Sequence, residues 1–161
     1  MKAAALQQAI YDALTLENTL GLDFTANSYT VTTGATRIPA LLSQAYLPLP
    51  AVFTDVPQSV DAEKDTDFPF ITIGGDTITP FEDKDNPGGN AVVQIDIWDR
   101  ATSMIDLKTV ADAVDARLRR QTLSISGVTH ITTELDSSVF TRDPDGKTKR
   151  ALLLYRVLWI A

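Results

Sequence analysis

The chain has 161 residues, 21 of them acidic and 14 basic, for a formal net charge of −7. Such a length gives a single domain spanning 1–161 as the expectation, large enough to bury about 70% of its unfolded-chain surface with no disulfide or structural metal. Zero cysteines and one histidine, His130, exclude a disulfide framework, a thiol nucleophile, cysteine-ligated zinc, iron–sulfur clusters and multi-histidine metal sites.

The start, MKAAALQQAIYDAL, is interrupted by Gln7, Gln8 and Asp12 before a signal-type apolar core forms. No stretch reaches the roughly 18 apolar residues of a membrane span. The richest, 151–161, contains Arg156. A soluble protein with no membrane partner is expected.

Lys2 to Leu16 reads as an amphipathic helix, with Leu6, Ala9, Ile10, Ala13 and Leu14 at three- and four-residue spacing and Gly21 as a stop. Asp23 to Ile38 is rich in Thr and β-branched residues and reads as a strand or hairpin around Gly34. Pro39, Pro48, Pro50 and Pro57 then allow short extended pieces such as Ala51 to Thr54 and no long helix. Ser59 to Asp67 is an acidic surface loop. Phe68 to Ile73 is a strand candidate, bent or bulged at Gly74-Gly75.

Pro80 to Asn90 reads as turn chemistry throughout, followed by a strand over Ala91 to Trp98. Alternation puts Val93, Ile95 and Ile97 on one face of it and Gln94 and Asp96 on the other. Ser103 and Asp106 resemble a capping box opening a helix whose stripe is Leu107, Val110, Ala111, Val114 and Leu118. Arg117, Arg119 and Arg120 complement the negative end of its dipole. Val128 to Thr141 and Thr148 to Ile160 are two strands joined by DPDGK, a hairpin signal. The last, ALLLYRVLWI, is apolar on both faces, which suits a central strand or one whose second face a partner chain buries. The fold class is α+β: a small, largely antiparallel sheet with two main helices on one face.

Between Asp55 and Asp85 stand nine acids, Asp55, Asp61, Glu63, Asp65, Asp67, Asp76, Glu82, Asp83 and Asp85, against Lys64 and Lys84. That stretch alone carries −7, and the remaining twelve acids and twelve bases cancel. Later basic residues (Arg117, Arg119, Arg120, Arg142, Lys147, Lys149, Arg150, Arg156) read as solvated or subunit-pairing groups, since overall acidity and the lack of a recognition motif argue against nucleic-acid binding.

Catalytic vocabulary is thin. His130 shares a strand face with Thr132 and Glu134 but has no nucleophile motif beside it, and reads as an ordinary exposed strand histidine. Glu82, Asp83, Asp85 and Asn86 fail the EF-hand pattern, because Pro87 stands at its fifth position and no Glu closes the loop. Neither glycine pair has phosphate-loop spacing. Asp96 and Asp99 fall on opposite faces of a strand end, unsuited to paired acid–base work. Trp98 and Trp159 read as core or interface anchors. No catalytic residue, metal ligand or cofactor is expected, and the chain is not expected to be an enzyme.

PAVFTDVPQ, FPFITIGGD, VVQIDIWDR, the helix near SMIDLKTVADAV and the closing DPDGKTKRALLLYRVLW, taken in that order, resemble the tail completion proteins of tailed phages. These include tail terminators, or tail-to-head joining proteins, and their counterparts in phage-derived particles such as gene transfer agents. The resemblance covers about Ala51 to Trp159 plus the first helix. The stretch 20–47 is longer than the family's usual link and is expected to be an extended insertion or irregular segment.

The resemblance implies a structural virion subunit forming a hexameric ring at the head-proximal end of the tail. Such a ring ends the tail tube, meets the head connector and lets DNA pass without specific binding, after assembly in the host cytoplasm. Interface candidates are Phe81, Asp83, Asp85 and Asn86 on the first hairpin, Arg117, Arg119 and Arg120 ending the helix, and Arg142, Asp143 and Lys147 on the second hairpin. Alternatives are another head–tail connector or minor tail protein, or a small α+β module binding a ligand or peptide at a sheet edge.

Overall fold

Leu6, Ala9, Ile10 and Leu14 are buried along one face of α1 (Ala3–Thr15), as their spacing requires. The structure is a computed structural model and describes residues 2–15, 22–23, 30–31, 51–54, 68–82 and 87–160. Strands β1 (Leu22–Asp23) and β2 (Thr30–Val31) form a small antiparallel pair, Leu22 opposite Val31. Both strands precede Gly34, around which the hairpin is expected. Expectations for Gly21, Gly34, Ser59 to Asp67, Asp83, Asp85 and Asn86 fall outside the described residues.

A second sheet runs in the order β3-β4-β5-β7-β6. It comprises β3 (Ala51–Phe53), β4 (Phe70–Glu82), β5 (Pro87–Asp99), β6 (Thr129–Arg142) and β7 (Lys149–Ile160). Helix α2 (Met104–Leu118) links β5 to β6. All pairings are antiparallel except β3 with β4, which is parallel. The register shifts between Ile73 and Asp76, so Gly74-Gly75 is the expected bulge.

The turn expected over Pro80 to Asn90 is largely strand. Pro80 pairs with Gly89, Phe81 with Gly88 and Glu82 with Pro87, lengthening both hairpin arms. The glycines serve close packing here instead of a turn. A Cβ on Gly88 would stand 2.5 Å from the Phe81 ring, and one on Gly89 would collide with the Trp159 indole. Pro80 is tolerated because the outer part of β4 lies beyond the reach of β3, which pairs only with Phe70 to Thr72.

Both helices cover one face. Ile71, Ile73, Val93, Ile95, Ile97, Leu153, Tyr155 and Val157 meet Leu6, Ile10 and Leu14 of α1 and Leu107, Val110, Val114 and Leu118 of α2 in one core. Ser103 accepts a hydrogen bond from the Ile105 N–H at 3.0 Å, capping α2 one position earlier than the box pattern predicts. The Tyr155 hydroxyl donates to Asp115 at 3.1 Å, tying β7 to α2. Burial, reinforced by that carboxylate, pushes the phenol upward, so it stays a neutral donor. Past α2, Leu123 and Ile125 are buried and close the core before β6 begins.

Candidate assembly surfaces

Alternation along a strand fixes what the second sheet face presents. On β7 it carries Leu152, Leu154, Leu158 and Ile160, all half-buried, while Leu153, Tyr155 and Val157 point to the core. Neither α1 nor α2 lies on this face. Exposed Val139 of β6 stands opposite Leu152 and widens the apolar row. Arg156 interrupts it, paired with Asp136 at 2.7 Å.

At one end of the same face the aromatic rings gather. Phe70 stacks on Trp98 at 6.3 Å between centroids, and Phe68 and Phe53 adjoin Phe70 at 5.1 and 6.2 Å. Arg150 lies 5.0 Å over Trp98, and Arg100 lies 4.4 Å over Phe68, each adding cation–π attraction. Asp96 is buried beneath them. Its Oδ1 accepts from Arg150 Nε and Nη2 at 2.9 and 2.8 Å, and its Oδ2 accepts from Gln94 at 2.7 Å. A carboxylate so fully engaged has a structural role.

Asp99 is on the core side, apart from Asp96 as expected. It accepts from the Ala101 N–H at 2.9 Å, while the buried Lys149 ammonium donates to the Ala101 carbonyl. These contacts fix the β5–α2 junction. His130 departs from the exposed strand histidine expected. It is half-buried, its Nδ1 accepts from the Leu123 N–H at 3.4 Å, and its Nε2 lies 2.8 Å from the Thr133 hydroxyl. It fastens the segment after α2 to the sheet, and desolvation holds its pKa below the usual value.

Among the described residues, the sequence-derived interface candidates do not form one patch. Gly88 pairs with Ile160 and Thr129 also pairs with Ile160, whereas Asp99 and Arg142 both pair with Lys149. The β4–β5 hairpin, with half-buried Phe81, therefore projects at the end of the sheet opposite the β6–β7 turn. Arg142, Asp143 and Lys147 share that turn.

Arg117, Arg119 and Arg120 are at the end of α2 and are engaged within the subunit. Arg117 is neither solvated nor available to a neighbour. It is 2% exposed and donates to the Leu14 carbonyl, capping the C-terminus of α1. Desolvation pushes its pKa down to about 10, so it stays charged at neutral pH. Arg119 pairs with Asp115 at 2.8 Å and Arg120 with Glu134 at 3.6 Å. Arg120 also takes the left-handed position after the helix, φ 58°, where its N–H donates to the Thr133 carbonyl at 2.9 Å.

The sequence marks the last strand as two-faced, with a partner chain as one possible cover, and Trp98 as a core or interface anchor, but the named interface candidates include neither the leucine row nor the aromatic stack. Their signals were the two-faced ALLLYRVLWI and the FPF triplet. Among the described residues no group of three or more His, Asp or Glu is placed to hold a metal, and no helix is long and apolar enough to cross a membrane.

The five-stranded sheet with its two helices has known counterparts. The model of the family described as tail completion protein gp17 matches residues 40–159. The tail completion protein gp17 of Bacillus phage SPP1 is 27% identical over 113 residues, covering 70% of this chain and 82% of its own. A chain of a solved structure described as "Virion of native gene transfer agent (GTA) particle" superposes with a TM-score of 0.70 at 20% identity, over 99% of this chain and 98% of that one. With a match that takes in β3, β4, β5, α2, β6 and β7 up to Trp159, this chain belongs to the tail completion protein gp17 family.

Proposed function

We propose that the chain is a non-enzymatic structural subunit of a tailed virion or phage-derived particle. It forms a ring, six subunits around, at the head-proximal end of the tail. There it ends polymerisation of the tail tube and joins the tail to the head connector. DNA passes through the ring without specific binding, and assembly takes place in the host cytoplasm before the ring enters the virion. The whole chain acts as one domain, with 20–47 as an added link.

The observation that carries this reading is the family match over 40–159, which takes in all five strands of the larger sheet up to Trp159. The open face supports it: a row of half-buried leucines with a polar border is what a subunit leaves for a neighbour to cover.

The test is to polymerise the particle's tube protein with and without this chain and to measure tube lengths by negative-stain electron microscopy. Shorter tubes with ring-shaped density at one end are expected. An unchanged length distribution with bare ends would overturn the reading.

A further inference from the structure

The larger sheet ends in two edge strands, β3 and β6. Strand β3 is three residues long, and the part of β4 that runs past it carries the Gly74-Gly75 bulge and Pro80, so little of that side can take up another strand. Strand β6 is fourteen residues long. Register shifts at Ile131 and at Asp136 interrupt the first half of its outer edge. Past Asp136, the run Ser137 to Thr141 (SSVFT) has no charge, proline, glycine or bulge, and those are the devices that keep a sheet edge from pairing.

The run is accessible from both sides of the sheet. Val139 is 48% exposed on the open face. Ser138 stands opposite Leu153 and so points to the helix side, yet it too is exposed, so α2 does not overhang the edge there. Asp136 and Arg142, both exposed, bracket the run at equal distance from Val139. Arg156 holds only Oδ1 of Asp136, and among the described residues Arg142 has no acidic partner.

The order of acid, apolar centre and base decides the occupant. An antiparallel copy of the same strand, centred on Val139, sets Val139 against Val139, Ser138 against Phe140, Ser137 against Thr141, and Asp136 beside Arg142 at both ends. Opposite charges then meet twice, whereas a parallel copy in register sets like against like. A two-fold axis through Val139 also leaves both open faces on the same side, so the leucine row of one sheet continues into the next.

We propose that β6 of the free subunit pairs antiparallel with β6 of a second copy about Val139, joining two five-stranded sheets edge to edge. The contact is isologous and stops at two copies, so it is independent of the ring-forming reading above.

Sedimentation velocity of the full chain tests it between about 10 μM and about 0.5 mM, where contacts of micromolar Kd are populated. The 17.5 kDa chain should associate reversibly into dimers and go no further. Val139→Lys should keep its circular dichroism spectrum, because Val139 is exposed, and should stay monomeric. Asp136→Arg and Arg142→Asp should each weaken self-association roughly tenfold or more, since each sets like charges opposite one another. Mixed together, these two variants should recover the dimer, because each supplies the charge that the other lacks.

A wild type that stays monomeric throughout, or that assembles past two copies without a dimer, overturns the proposal and leaves the ring reading standing. Val139→Lys associating as strongly as the wild type overturns the β6 edge as the site. Charge variants that do not recover on mixing overturn the antiparallel self-pairing. If the wild type is monomeric and Val139→Lys abolishes binding to tube protein, the edge belongs to that partner and the second copy is overturned.

Discussion

His130 shows how one side chain can set a local dependence on pH. Its Nδ1 can accept from Leu123 only while it carries no proton, so protonation sets two N–H groups facing each other. Since the folded ring has a pKa below the ordinary 6.5, the folded state binds the proton less readily than the unfolded one. The stability contributed by the neutral ring is full above about pH 6.5 and is lost as pH falls through and below that value. Urea midpoints should drop more between pH 7.5 and 5 in the wild type than in His130→Gln. Equal drops would show that carboxylates alone set the acid limb. The sequence marked His130 as unusual only by its solitude, and its partners, Leu123 and Thr133, emerge when the chain after α2 turns back onto β6.

At the scale of the element, the β4–β5 hairpin carries its own proof of packing. Gly89 lies against the indole of Trp159, a core residue that cannot swing away, whereas a Cβ on Gly75 would meet nothing within 4 Å. Gly89→Ala should therefore cost about 1–3 kcal/mol, the usual penalty of overpacking. Gly75→Ala should stay within about 0.5 kcal/mol, both read from thermal unfolding. Equal effects would remove the steric explanation. The strand interiors were legible from alternation: Val93, Ile95 and Ile97 face the core as predicted. The hairpin arms were not, because PGG is turn vocabulary unless the rings of Phe81 and Trp159 are known to occupy the space that side chains would fill. The parallel β3–β4 pair was hidden for a related reason, since nothing in three residues of AVF announces the direction of a partner.

For the whole molecule, the sheet divides the labour between its faces. Leu153 points into the core and Leu154 to the open face. Leu153→Ala should cost about 2–5 kcal/mol of stability, and Leu154→Ala about 1 kcal/mol or less, by urea denaturation of the subunit at low concentration. Comparable losses would mean that both faces are equally covered within one chain. The same topology bears on how the chain finds its shape. The pairs β4–β5 and β6–β7 are hairpins of near neighbours, each with a short connection and a low entropic cost of closure. The seam between them, where Asp99 meets Lys149 and Gly88 meets Ile160, joins distant parts of the chain. Helix α2 and the strap through Leu123 and Ile125 form the tether that brings the two ribbons edge to edge. That seam thus has the highest contact order in the sheet and the largest loop-closure cost. Until it closes, the inner edges of β5 and β7 are both open, so a newly made chain is at its most aggregation-prone after two ribbons exist and before one sheet does.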